Sequence, residues 1–163
     1  MDWNEIQNFL SNVVFGILLV AMIIYWINLS VFKEQFFLFK LGRLSTIIAN
    51  LLLVFILCSR WIVAGYFPLS NLYESLLFLT WTLLTIYLYI ETKTKSRLIG
   101  AMLIPVTLLI NGFANLTLSP EMQKSSPLVP ALQSNWLMMH VSMMLLSYAT
   151  LIMGSLLCIL FLR

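Results

Sequence analysis

The sequence predicts an all-α membrane protein, a polytopic bundle of about five transmembrane helices. Three observations carry that prediction. The 163-residue chain is 61% hydrophobic and only 9% charged, against about 25% charged in a typical soluble domain. Its mean hydropathy is +0.99. Its apolar runs approach the roughly 20 residues that cross a bilayer as a helix, and they lack the alternation of a barrel strand.

The spacing predicts spans at 11–31, 44–63, 71–90, 98–114 and 137–162, within a single transmembrane domain covering 1–163. The first follows an acidic, polar leader, MDWNEIQNFLSN, which resembles neither a cleavable signal peptide nor a transit peptide. KEQFFLFKLGR (residues 33–43) separates the first two spans, with enough aromatics to lie in the interface. GYFPLSN (65–71) separates the second and third. There Pro68 ends one helix, Asn71 can cap the next, and Glu74 stands where a capping-box acid reaches back. ETKTKSR (91–97) reads as a polar turn, and the segment from Asn115 to Asn135 as one long loop.

Five spans sort the charges. Lys33, Lys40, Arg43, Lys93, Lys95, Arg97 and Arg163 fall on one face, and only Arg60 and Lys124 on the other. The positive-inside rule then places the N-terminus, the 65–71 loop and the 115–135 loop on the translocated side. This topology accounts for the net charge of +3 without nucleic acid as a partner; membrane lipid is the expected surroundings. Cys58 and Cys158 fall at opposite depths and should not pair. NLS at Asn28 and NLT at Asn115 match the glycosylation pattern only weakly.

The fifth span contains the one histidine of the chain, His140. A 3.6-residue step places Trp136, His140, Met143, Ser147, Thr150, Gly154 and Cys158 on one stripe. Small and polar residues on one face of a membrane helix mark packing against other helices, so the stripe is expected to pack there and to line a cofactor cleft at its outer mouth. The opposite faces carry Val141, Leu145, Leu146, Ile152, Leu156 and Ile159. From spacing alone His140 has two readings. One is a helix-mouth residue satisfied by a loop carbonyl; the other is a metal or haem ligand. The nearby methionines are either soft ligands or packing filler. The sequence contains no phosphate loop, no histidine pair at metal spacing and no catalytic constellation. A transporter or structural subunit remains the alternative class; against a transporter, no internal acid, base or broken helix is legible.

Two blocks are more specific. GYFPLSNLYESLLFLTW (65–81) and LVPALQSNWLMMHVSMMLLSYATL (128–151) closely resemble the CcsA family, a multi-span haem-handling family of cytochrome c maturation. The resemblance covers essentially the whole chain and is strongest to plastid-encoded members. It implies haem attachment to reduced Cys-x-x-Cys-His apocytochromes c, as a component of a haem lyase complex with a ResB-like partner. It assigns His140 as an axial haem ligand and Trp136 as a haem contact. It makes Pro68, Leu69, Ser70, Asn71, Leu72, Tyr73, Glu74 and Ser75 a signature on the attachment side, which in a plastid is the thylakoid lumen; a cyanobacterial thylakoid or bacterial inner membrane is the alternative. The N-terminus is then lumenal. The family's tryptophan-rich WWD segment and its further histidines have no counterpart here. The chain is therefore expected to be an N-terminal part truncated before that region, inactive alone, with no catalytic residue of its own.

The topology is testable in a Cys58→Ser, Cys158→Ser background. A membrane-impermeant maleimide added from the translocated side should label a Lys124→Cys variant and spare Lys93→Cys. The reverse pattern would invert the predicted orientation.

Overall fold

The computed structural model describes residues 3–30, 36–94, 96–130 and 133–162. Of the charges used for orientation, Lys33, Lys95 and Arg163 lie outside these residues, as does the side chain of Arg97. The order is α1 (Trp3–Ser30), α2 (Phe36–Ala64), α3 (Leu72–Thr94) and α4 (Arg97–Gly112). A π-helical turn (Phe113–Thr117), the short α5 (Pro120–Gln123) and α6 (Asn135–Phe161) follow. Among the described residues, five segments are long and apolar enough to cross a membrane, as the sequence predicts. There is no strand among the described residues.

α1 begins eight residues before its predicted span. The polar leader is helical because Gln7 and Ser11 continue the buried face of the apolar segment. That face runs Gln7, Ser11, Val14, Leu18, Ala21, Tyr25, Asn28, a strict alternation of four and three. α2 answers with Gly42, Thr46, Ala49, Leu53, Ile56 and Arg60. A repeat averaging 3.5 residues keeps two helices in contact along a left-handed supercoil, and α1 against α2 is the most extensive interface. α1 also packs on α4; α3 packs on α2, α4 and α6.

Helix ends and interruptions have local causes. Gly65, at φ +73°, stops α2 while its N–H reaches the Trp61 carbonyl at 3.0 Å, the left-handed cap that glycine adopts without a Cβ clash. Pro105 lies inside α4 and has no N–H for the Ala101 carbonyl. The Trp26 indole donates to that carbonyl instead, at 3.1 Å. α4 then continues three residues past its predicted end as the π turn. The Gln123 amide caps this turn, donating toward the carbonyls of Asn115 (3.1 Å) and Leu118 (2.9 Å). α6 begins at Ser134, whose Oγ accepts the Leu137 N–H at 3.2 Å. Asn28 is buried and Asn115 is bonded to Ser11 and Asn111, so both glycosylation matches point inward.

The predicted polar turn at 91–97 is helical up to Thr94. Glu91 is buried there and meets Arg43 of α2 at 3.4 Å. Close by, the hydroxyls of Tyr25 and Tyr87 are hydrogen-bonded at 2.8 Å. Gly100 of α4 presses on this pair: a Cβ there would stand 2.6 Å from the Tyr87 hydroxyl and 3.0 Å from the Tyr25 ring. Both rings are fully packed, so neither can yield. Gly100→Ala should therefore cost about 1–3 kcal/mol through overpacking, seen as a lower Tm in detergent. An unchanged Tm would show that the tyrosine pair can move.

Candidate functional site

The signature block is folded into a knot at the end where α2 stops and α3 starts. Arg60, on the last turns of α2, is 1% exposed, and its Nη1 meets Glu74 Oε1 at 3.2 Å. Glu74 is completely buried. Arg60 Nη2 donates to the Gln123 carbonyl at 2.9 Å, and the guanidinium lies 4.7 Å above the Tyr73 ring. Its planar fork thus serves a carboxylate, a loop carbonyl and an aromatic face together, which a lysine ammonium could not reproduce.

Glu74 does reach back, but one residue beyond the predicted cap. Its Oε2 accepts the Ser70 N–H at 3.1 Å and lies 2.9 Å from Ser70 Oγ. That hydroxyl is equally close to the Ser126 carbonyl and donates to one acceptor at a time. Asn71 does not act as the predicted side-chain cap. Its amide donates to the carbonyls of Met122 and Lys124, joining the 65–71 loop to the segment around α5. Its own carbonyl accepts from Ser75 Oγ at 3.0 Å. Pro68 and Leu69 are buried, and Leu72 is exposed. The block therefore clasps α2, α3 and the α5 segment. The sequence also shows no internal acid or base to the eye, and the structure corrects this. Glu74 and Glu91 are both interior acids, each held by an arginine of α2.

His140 and Trp136 stand near the start of α6, at the same end as the knot. Both are exposed, Trp136 at 83%. The whole predicted stripe is exposed, Met143, Ser147, Thr150, Gly154 and Cys158 included. The expectation that it packs against the other helices is overturned. α6 instead turns Val141, Leu145, Ala149, Ile152, Met153 and Leu156 toward the core, largely the face assigned as opposite. The physical reason is fit: Ala149 and Met153 are the two buried residues of α6, and this apolar ridge meets α3 and α4. A cleft beside the start of α6 has Tyr66, Phe67 and Leu69 on the loop side and Leu137, Met138 and Val141 on the helix side. At about 30 Å³ it admits roughly one water and no macrocycle. That cleft is too small for a planar cofactor; on the outward face of α6 the His140 imidazole takes no hydrogen bond from the described residues. That face offers one nitrogen ligand, with Trp136 one turn before it and Met143 one turn after. No cluster of three metal-ligating side chains exists among the described residues. Cys58 and Cys158 are free thiols.

Helix length, hydropathy and interior arginine–carboxylate pairs define a multi-pass α-helical membrane protein. Comparison with known proteins narrows this. The family model described as Cytochrome C assembly protein matches residues 69–163, more than half of the chain. The chain is 79% identical over 162 residues to "Cytochrome c biogenesis protein CcsA" of Trieres chinensis, covering 99% of this chain and 52% of that protein. It is 60% identical to the protein of the same name from Pyropia yezoensis and 53% identical to that of Nostoc punctiforme, each over 99% of this chain and 50% and 46% of the relative. The chain belongs to the cytochrome c assembly protein family. It spans about half the length of the curated relatives it matches. No solved structure matches it.

The knot predicts asymmetric energetics. Arg60→Met leaves a buried, unpaired carboxylate and should cost about 3–5 kcal/mol. Removing Glu74 as well, in an Arg60→Met, Glu74→Leu double variant, should recover much of the loss. Thermal melts of the two variants test this; a double variant no more stable than the single one would contradict it.

Proposed function

We propose that this chain forms the part of a CcsA-type protein that holds haem at the membrane surface for attachment to Cys-x-x-Cys-His apocytochromes c. Haem is the cargo, and His140 is one of its axial ligands. The observation that carries the reading is the exposed imidazole on α6, without a hydrogen bond among the described residues, at the same end as the clasped signature block. A histidine satisfied by a loop carbonyl would read as structural. This one takes no hydrogen bond from the described residues, which leaves its ring nitrogens available for outside chemistry.

His140 would bind the iron and set the distance of the macrocycle from the helix. Trp136 would lie against the porphyrin edge. The knot at Pro68–Ser75 would keep the neighbouring loops rigid, so that an apocytochrome meets a fixed surface. Attachment adds each thiol S–H across a haem vinyl group, forming a C–S bond while the proton goes to the other vinyl carbon. What the protein supplies is proximity, worth several kcal/mol of barrier when both reactants are held. A single histidine provides one axial position, so the second ligand comes from elsewhere in the complex.

On this reading the end bearing His140 faces the translocated compartment. The Lys and Arg split supports that orientation. The relatives in Pyropia yezoensis and Nostoc punctiforme favour a thylakoid membrane of plastid or cyanobacterial type. A ResB-like protein is the proposed partner.

The test is His140→Ala in the intact protein, with Met143→Leu on the same exposed face as control. Loss of the haem absorbance of the purified complex and at least tenfold less holocytochrome are expected for His140→Ala alone. Normal haem content in that variant would refute the assignment.

A further inference from the structure

The interior beneath the knot contains polar atoms that the protein itself leaves unmatched. Gln7 of α1 donates to Ser59 Oγ at 3.3 Å, yet its Oε1, in a residue 2% exposed, has no acceptor role. Arg60 uses Nη1 and Nη2 and leaves Nε without a partner. Tyr73 is fully buried under Arg60, and its hydroxyl has no hydrogen-bond partner among the described residues. Ser11 binds Asn115 at 2.7 Å, and Asn115 binds Asn111 Oδ1 at 2.6 Å, leaving the Asn111 amide nitrogen unmatched. These contacts link α3 to α2, α2 to α1 and α1, through Asn115, to α4. One turn deeper, the same helices carry Val14, Ile56 and Leu77, all fully buried.

We propose that the four helices enclose a hydrated site here, in which ordered water bridges Gln7 Oε1, Arg60 Nε, the Tyr73 hydroxyl and the Asn111 amide. Buried polar groups in native proteins are matched by protein or by water, and each one left bare is costly. Buried waters occur at about one per 27 residues and bind to two to four polar partners. The chemistry of the site selects water over an ion. It presents an acceptor, two donors and a hydroxyl that serves as either. An anion needs donors only and a cation acceptors only, whereas water satisfies both kinds. The adjacent charges already neutralise each other at 3.2 Å, so no net charge calls for a counterion. Such water would keep a guanidinium partly solvated at membrane depth, where ionisable groups otherwise face a cavity or a partner. The inference is independent of the haem reading, and its test leaves haem binding out.

Tyr73→Phe removes the hydroxyl and retains the ring under Arg60. If the site is hydrated, the variant loses a bridged hydrogen bond and its Tm falls by roughly 2–4 °C. If the site is dry, it loses an unsatisfied group, and its Tm stays or rises. A Tm that does not fall overturns the proposal. Radiolytic hydroxyl labelling of the unmutated intact protein gives a reading free of folding effects. Bound water should make Tyr73 label faster than the buried Tyr25, which is paired with Tyr87. Labelling of Tyr73 no faster than Tyr25 also overturns it.

Discussion

A membrane interior tolerates charge only where charge is matched, and the pairing of α2 with α3 follows from that constraint. Arg43 and Arg60 of α2 meet Glu91 and Glu74 of α3. The partners are 17 residues apart on each helix, at positions 43 and 60 against 74 and 91. At 1.5 Å per residue, that is about 26 Å, close to the roughly 30 Å thickness of the hydrocarbon core. The two pairs therefore bracket the apolar layer and set the antiparallel register of α2 and α3. A slip of either helix by one turn would strand all four charges.

The two pairs differ in what they bind besides each other. Arg43 is partly exposed and its contact with Glu91 is too poorly aligned to count as a hydrogen bond, so this end is held chiefly by charge and by the Tyr25–Tyr87 bond. Arg60 is enclosed and divides its donors between Glu74 and the Gln123 carbonyl. Gln123 in turn caps the π turn with its side chain, so its backbone and amide link α2 to the end of α4. Exchanging this arrangement for an apolar one removes both charges but still leaves the Gln123 carbonyl and the Ser70 N–H without these partners. That is why the Glu74 end is a clasp of several segments and the Glu91 end a simple contact.

Hydropathy alone made the five spans legible, because burying backbone in lipid leaves long apolar helices as the solution. The extra turns were hidden for the same reason: Gln7 and Ser11 read as a solvated leader until the 3.5-residue register of α1 is followed through them. Glu74 looked like a capping acid because Asn71 lies three residues before it. Its true partner, Arg60, is 14 residues away, on the far side of a glycine-stopped helix, and no local rule spans that gap. Trp26 filling the carbonyl freed by Pro105 is equally non-local, 75 residues apart. The stripe on α6 is legible as a stripe in the sequence, but it faces outward rather than into the bundle. Small and polar residues signal close helix contact, but Ala149 and Met153 on the adjacent apolar ridge supply the better surface for α3 and α4.

That reversal bears directly on the proposed role of His140. Had the stripe packed inward, the imidazole would have stood among α3 and α4, and the cleft described beside the start of α6 holds about 30 Å³, far short of a macrocycle. On the outward face it is unobstructed, and the exposed residues one turn to either side are an indole and a thioether rather than charges. An apolar, planar, iron-bearing cargo requires just that combination: a nitrogen for the metal and uncharged, polarisable surface for the ring. In the proposed role the knot would complement that face. It holds the 65–71 loop against the α5 segment by Ser70, Asn71 and Arg60, so the surface beside α6 is set by buried bonds rather than by mobile loops. In the proposed role a rigid rim beside His140 would serve proximity, since the gain depends on how little the reactants can move once held.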